Sequence, residues 1–173
     1  MEHPHMRNTS FTTQELVFTA LMTALVFVAT YLPHIPIPLG YAHLGDAVIF
    51  LLAFLTPRRS ALVAACIGSA LADLLSGFAI WIVPTLVIKF VMAEIVYRVG
   101  HRRTAIASRA GIIAALLLSS LWMAAAYTLA GALLYDSMSA ALASSPGLIM
   151  EGLVNSIIAF LLLSLMRERF SMF

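Results

Sequence analysis

Residues Gly40–Glu94, GYAHLGDAVIFLLAFLTPRRSALVAACIGSALADLLSGFAIWIVPTLVIKFVMAE, decide how the chain is read. Three strongly apolar segments lie in this stretch, yet it also carries His43, Asp46, Asp73, Lys89 and Glu94. Ionisable side chains within lipid-spanning segments are costly, so they face a cavity or one another. The rest of the sequence then reads as scaffold, topology signal and further wall for the cavity these residues imply.

Composition points the same way. Of the 173 residues, 62% are hydrophobic and 10% charged, with mean hydropathy +0.99; a soluble domain is about half apolar and about one quarter charged. The expectation is an all-α integral membrane protein with a single transmembrane domain over residues 1–173, since no linker or low-complexity run divides it. The lone cysteine, Cys66, sits in the apolar run LVAACIGSA, which leaves no disulfide framework and no Cys-based metal site. The apolar run over 16–32 is long for a signal-peptide core and no A-x-A pattern closes it, so it reads as an uncleaved first span. His3 and His5 read as part of a solvated tail.

Six helical spans emerge, over about 13–32, 43–55, 59–76, 84–99, 109–134 and 145–166. Pro33, Pro36 and Pro38 stop the first, Pro57 follows the second, Pro84 opens the fourth, and Ser145 is the expected N-cap of the last. The second, third and fourth fall short of the ~20 residues of a full span. Basic residues set the orientation. Arg7, Arg58, Arg59, Arg98, Arg102, Arg103, Arg109, Arg167 and Arg169 all fall on one side, and the segments 33–42, 77–83 and 135–144 contain none. The positive-inside rule makes that side, and both termini, cytoplasmic.

Lys89 is the exception, about 8 Å into the membrane from the outer face at ~1.5 Å per residue past Pro84. Asp46 and Asp73 lie near the outer ends of their spans, and Glu151 and Asn155 share one face of the last span. A polar pocket open to the outside follows. Each residue also has a plainer reading. Asp46 suits the first turn of a helix by its charge, and Lys89 suits a structural ion pair with Asp73, Glu94 or Glu151. Tyr31, Tyr41, Phe78, Trp81 and Tyr135 suit an interfacial belt, although Tyr41 and Trp81 border the pocket and offer faces to a flat ligand. Trp122 and Tyr127 fit packing or pocket lining equally. Ala20 and Ala24, and Ala64, Gly68 and Ala72, form small-residue rows that let helices approach closely.

Several chemistries are excluded. The only lysine stands in VIKF, so there is no G-x-x-x-x-G-K-[ST] phosphate loop. Neither H-E-x-x-H nor G-x-S-x-G occurs, and no catalytic residue, metal or cofactor is assigned. The basic run YRVGHRRTAIASR suits anionic membrane lipids or a partner, and is too short for a nucleic-acid site.

YAHLGDAVIFL (Tyr41–Leu51), IGSALADLLSG (Ile67–Gly77) and PTLVIKFVMAEI (Pro84–Ile95), with TALMTAL in the first span, carry a family likeness. The chain resembles the substrate-binding S components of energy-coupling factor (ECF) vitamin transporters. Within these it is similar to the branch associated with pyridoxine and hydroxymethylpyrimidine. The resemblance implies a six-helix bundle in a bacterial cell membrane that captures a vitamin outside. It hands the vitamin inward when docked on a transmembrane coupling protein driven by two ABC-type ATPases, and is itself no enzyme. It also implies that Ala20 and Ala24 form the docking surface and that the loop over 33–42 gates the site. Depth and facing, not the family, nominate Tyr41, His43, Asp46, Asp73, Trp81, Lys89, Glu151 and Asn155 as substrate-binding residues. Open alternatives are an S component for riboflavin or thiamine, an intramembrane enzyme using Asp46, Asp73 and Glu151, and an assembly subunit without a ligand.

Overall fold

A computed structural model describes residues 11–100 and 109–170, with side chains given to residue 166. Helix α1 (Thr13–Tyr31) leads into a hairpin of β1 (Ile35–Ile37) and β2 (Gly40–Ala42). Then follow α2 (Gly45–Leu55), α3 (Arg58–Leu75), a 3-10 turn (Ala79–Trp81), α4 (Ile82–Gly100), α5 (Arg109–Leu134) and α6 (Met138–Phe170). Four stretches are long and apolar enough to cross a membrane: Thr13–Tyr31, Ala79–Gly100, Arg109–Leu134 and Met138–Met166. Helix α2 has only 11 residues, and α3 carries Arg58, Arg59 and Asp73.

Local chemistry sets the ends. Thr12 and Glu15 close a reciprocal capping box on α1, Glu15 N–H donating to Thr12 Oγ1 at 3.2 Å and Thr12 N–H to Glu15 Oε2 at 2.9 Å. Between α5 and α6, Asp136 adopts φ 47°, a left-handed conformation that Asp tolerates better than most residues. Ser137 then caps α6 by accepting the Ala140 N–H at 3.3 Å. Here the structure corrects the sequence reading, in which 135–144 is a loop and Ser145 the cap. Pro146 lies inside α6, and the hydroxyls of Ser144 and Ser145 turn back to the carbonyls of Ala140 and Ala141. A cap at Ser137 lets the helix start seven residues early, and a single proline does not stop it. The segment after α1 is likewise a hairpin, with Ile35 opposite Ala42.

Packing runs from α1 to α3, α4, α5 and α6 in turn, while α2 touches α1, α3, α4 and α6. Apart from Asp46, its sequence, GDAVIFLLAFL, is apolar on every side, as a central helix requires. Ile49, Phe50 and Ala53 are completely buried. Large apolar side chains such as Leu16, Leu21 and Leu25 point out of the bundle, the natural surface of a chain solvated by lipid.

The α1–α3 seam is close. A methyl on Gly68 would lie 2.8 Å from the Thr23 carbonyl oxygen and 2.8 Å from Val26 Cβ. Ala64 and Ala72 are buried, so the α3 row packs inside the chain. Ala20 and Ala24 are exposed on the opposite face of α1. His3, His5, Arg7, Arg102 and Arg103 lie outside the described residues, as do the side chains of Arg167 and Arg169.

Candidate functional site

The hairpin folds over one end of the bundle and is tied down at its tip, where Leu39 N–H donates to Ser144 Oγ on α6 at 3.0 Å. Gly147 admits strand β1: a methyl there would come within 2.6 Å of Ile37 Cγ2. Under the hairpin lies a cleft with about 530 Å³ of atom-free space, part of it open to solvent. Its lining includes Tyr41, His43, Asp73, Phe78, Trp81, Tyr127, Ser144 and Glu151.

One wall is a hydrogen-bonded row. Tyr41 Oη donates to Asp73 Oδ1 at 2.9 Å, Thr85 Oγ1 donates to Asp73 Oδ2, and Tyr127 Oη donates to Thr85 Oγ1 at 3.0 Å. Burial, then the Asp73 carboxylate, pushes the Tyr41 phenol upward, so it keeps its proton and serves as a donor. Both Asp73 oxygens are thereby occupied. Aromatic rings complete the wall. His34 stacks on Tyr41 at 3.9 Å and 15°, Phe78 lies 5.4 Å from Tyr41, and Trp81 tilts against Tyr127 at 5.6 Å.

Behind this wall sits the most deeply buried charge pair. Lys89 and Asp46 are both 0% exposed, and the ammonium donates to Asp46 Oδ1 while lying 5.3 Å from the centre of the Tyr127 ring. The partner of Lys89 is therefore Asp46, rather than Asp73, Glu94 or Glu151. The central position of α2 brings Asp46 to it. Glu94 serves the opposite end of α3, bound by Arg58 at 2.8 Å through both carboxylate oxygens and by Arg98.

The link from β2 to α2 carries His43. Burial first, then the charge of Lys89, lowers its pKa to about 3, so the ring is neutral. Its Nδ1 accepts the Gly45 N–H at 3.2 Å and lies 3.2 Å from Glu151 Oε1. Asn155 clamps the link: its Oδ1 accepts from Ala47 N–H at 2.9 Å, and its Nδ2 donates to the carbonyls of His43 and Glu151, each at 2.8 Å.

Of the residues nominated from sequence, Tyr41, His43, Asp73, Trp81 and Glu151 line one cleft. Asp46 and Lys89 are not among its lining, and Asn155 borders a second, almost wholly apolar cleft beyond His43 and Glu151. Sequence reasoning missed Thr85, His34 and Ser144. Thr85 was legible, four residues before Lys89 on the same helix face; His34 and Ser144 carried no signal. His43, Asp46 and Glu151 offer possible metal-ligand atoms within 4.8 Å of one another. The Lys89 ammonium beside Asp46 offsets much of the negative charge that would attract a divalent ion.

These features define a multi-pass helical membrane protein with an aromatic-lined cleft at one end of the bundle. The family model for the ECF-type riboflavin transporter, S component, matches residues 10–168, and the chain belongs to that family. It is thus a substrate-specific transporter subunit of the kind that works with a membrane coupling protein and ATPases, and it is not an enzyme. The intramembrane-enzyme alternative built on Asp46, Asp73 and Glu151 is set aside accordingly. No curated protein matches the chain in sequence.

Proposed function

We propose that this chain captures pyridoxine or hydroxymethylpyrimidine in the cleft beneath the hairpin, for ATP-driven uptake through a coupling protein and two ABC-type ATPases. The observation that carries the reading is the lining itself: four aromatic side chains, Tyr41, Phe78, Trp81 and Tyr127, with polar groups at their edges. Lys89 and Asp46 cancel each other behind the wall, and the Asp73 oxygens are already taken by Tyr41 and Thr85, which leaves Glu151 to meet a donor group at the edge of a flat heterocycle. A second reading, riboflavin, is favoured by the name of the matching family. Six spans with both termini cytoplasmic, in a bacterial cell membrane, place the hairpin end outside in this reading, and exposed Ala20 and Ala24 serve as the docking seam.

Titration calorimetry on the detergent-purified protein with pyridoxine, hydroxymethylpyrimidine and riboflavin tests it. One of the first two should bind, and tighter than riboflavin. Glu151→Leu should then weaken binding at least about tenfold, the cost of a lost hydrogen bond to a charged group being ~1.5–3 kcal/mol. Undiminished binding by Glu151→Leu would remove Glu151 from the site.

A further inference from the structure

Every polar side-chain atom along the Asp73 row is paired, but two buried atoms of the same cleft are not. Trp81 Nε1 and Glu151 Oε1 have no hydrogen-bond partner among the described residues, although Trp81 is 7% and Glu151 6% exposed. Leaving a buried polar group unpaired is costly, and native proteins do so rarely. The contrast with Trp122 is direct, since its indole N–H donates to the Ile88 carbonyl at 3.1 Å.

The protein holds both atoms in place. The Trp81 ring packs against Tyr127 at 5.6 Å and against Tyr135 at 6.1 Å. Gly131 leaves room for its far edge, for a methyl there would lie 3.3 Å from Trp81 Cη2. Glu151 Oε1 faces His43 Nδ1 at 3.2 Å, but that nitrogen already accepts the Gly45 N–H and the ring is neutral. His43 therefore has no proton at Nδ1 to give. With Glu151 as a carboxylate, two acceptors stand side by side there, a place for a donor from outside the chain.

We propose that Trp81 Nε1 and Glu151 Oε1 form a donor–acceptor pair that selects the ligand. The pair takes a heterocycle whose ring nitrogen accepts from Trp81 and whose hydroxyl or amino group donates to Glu151. This rests on the cleft being the ligand site and deepens that reading: the tryptophan recognises by its N–H as well as by its face. A hydrocarbon ring leaves both buried groups unpaired and a ligand with acceptors only leaves one, so each is rejected.

Trp81→Phe keeps an aromatic face and removes the N–H. In calorimetry with pyridoxine and hydroxymethylpyrimidine, the variant should bind about three- to tenfold more weakly than the parent, the range expected of a neutral hydrogen bond. An analogue with C–H in place of the ring nitrogen guards against misfolding of the variant. It should lose a similar factor on the unaltered protein and lose nothing further on Trp81→Phe. Equal affinity of parent and variant, or of ligand and analogue on the parent, overturns the pair and leaves the vitamin reading standing. Mass spectrometry of ligand released from the purified protein separates the two ideas from the other side. A compound of another class bearing both a ring acceptor and a donor sinks the vitamin reading and supports the pair. A compound lacking either group sinks the pair. A protein that binds neither vitamin and releases no compound overturns both.

Discussion

Lys89→Met is expected to destabilise the protein by about 3–5 kcal/mol, because it leaves the Asp46 carboxylate buried without its cation. Both side chains are 0% exposed, and Asp46 Oδ2 already lacks a partner among the described residues, so no solvent is at hand to take over. The α2 helix that carries Asp46 packs against four other helices, and its loosening should spread through the bundle. The double variant Asp46→Leu with Lys89→Met should recover most of the loss, since a buried pair replaced by apolar groups of similar volume is often neutral. Thermal unfolding in detergent reads both results. A single variant that melts with the parent would show that the pair does not hold the core.

Ala24→Trp should abolish uptake by the assembled transporter while leaving binding of the vitamin to the isolated subunit nearly unchanged. Ala24 is exposed on α1, facing away from the seam that α1 makes with α3 at Gly68. An indole there meets no atom of this chain's core, yet it fills a surface on which another helix would have to approach closely. Equal loss of binding and uptake would place Ala24 in the subunit's own packing instead.

Much of this architecture is legible in the residues. Charge in apolar segments marked the polar interior, and the prolines and capping residues placed α1, α2 and α4 to within a few positions. The α6 start was missed because Ser145–Pro146 drew the boundary, whereas the helix is capped earlier, at Ser137. In a helix braced by α5, that proline is absorbed. The site was harder to read. Depth and facing nominated Tyr41, Asp73, Trp81 and Glu151, which line one cleft, but they do not tell which side chains are already committed. Lys89 is spent on Asp46 and Asn155 on the backbone of the His43 link, a distinction that depends on where α2 packs. Trp81 was read as a ring face, and its unpaired N–H appears only when neighbouring acceptors are counted.

The most direct test is transport itself. Proteoliposomes should be made with this chain, its coupling protein and the two ATPases, and given labelled pyridoxine or hydroxymethylpyrimidine on the hairpin side. Accumulation should require ATP on the opposite side, should stop when this chain is omitted, and should be competed weakly by riboflavin. Accumulation that persists without this chain, or riboflavin carried in preference to both smaller heterocycles, would contradict the account.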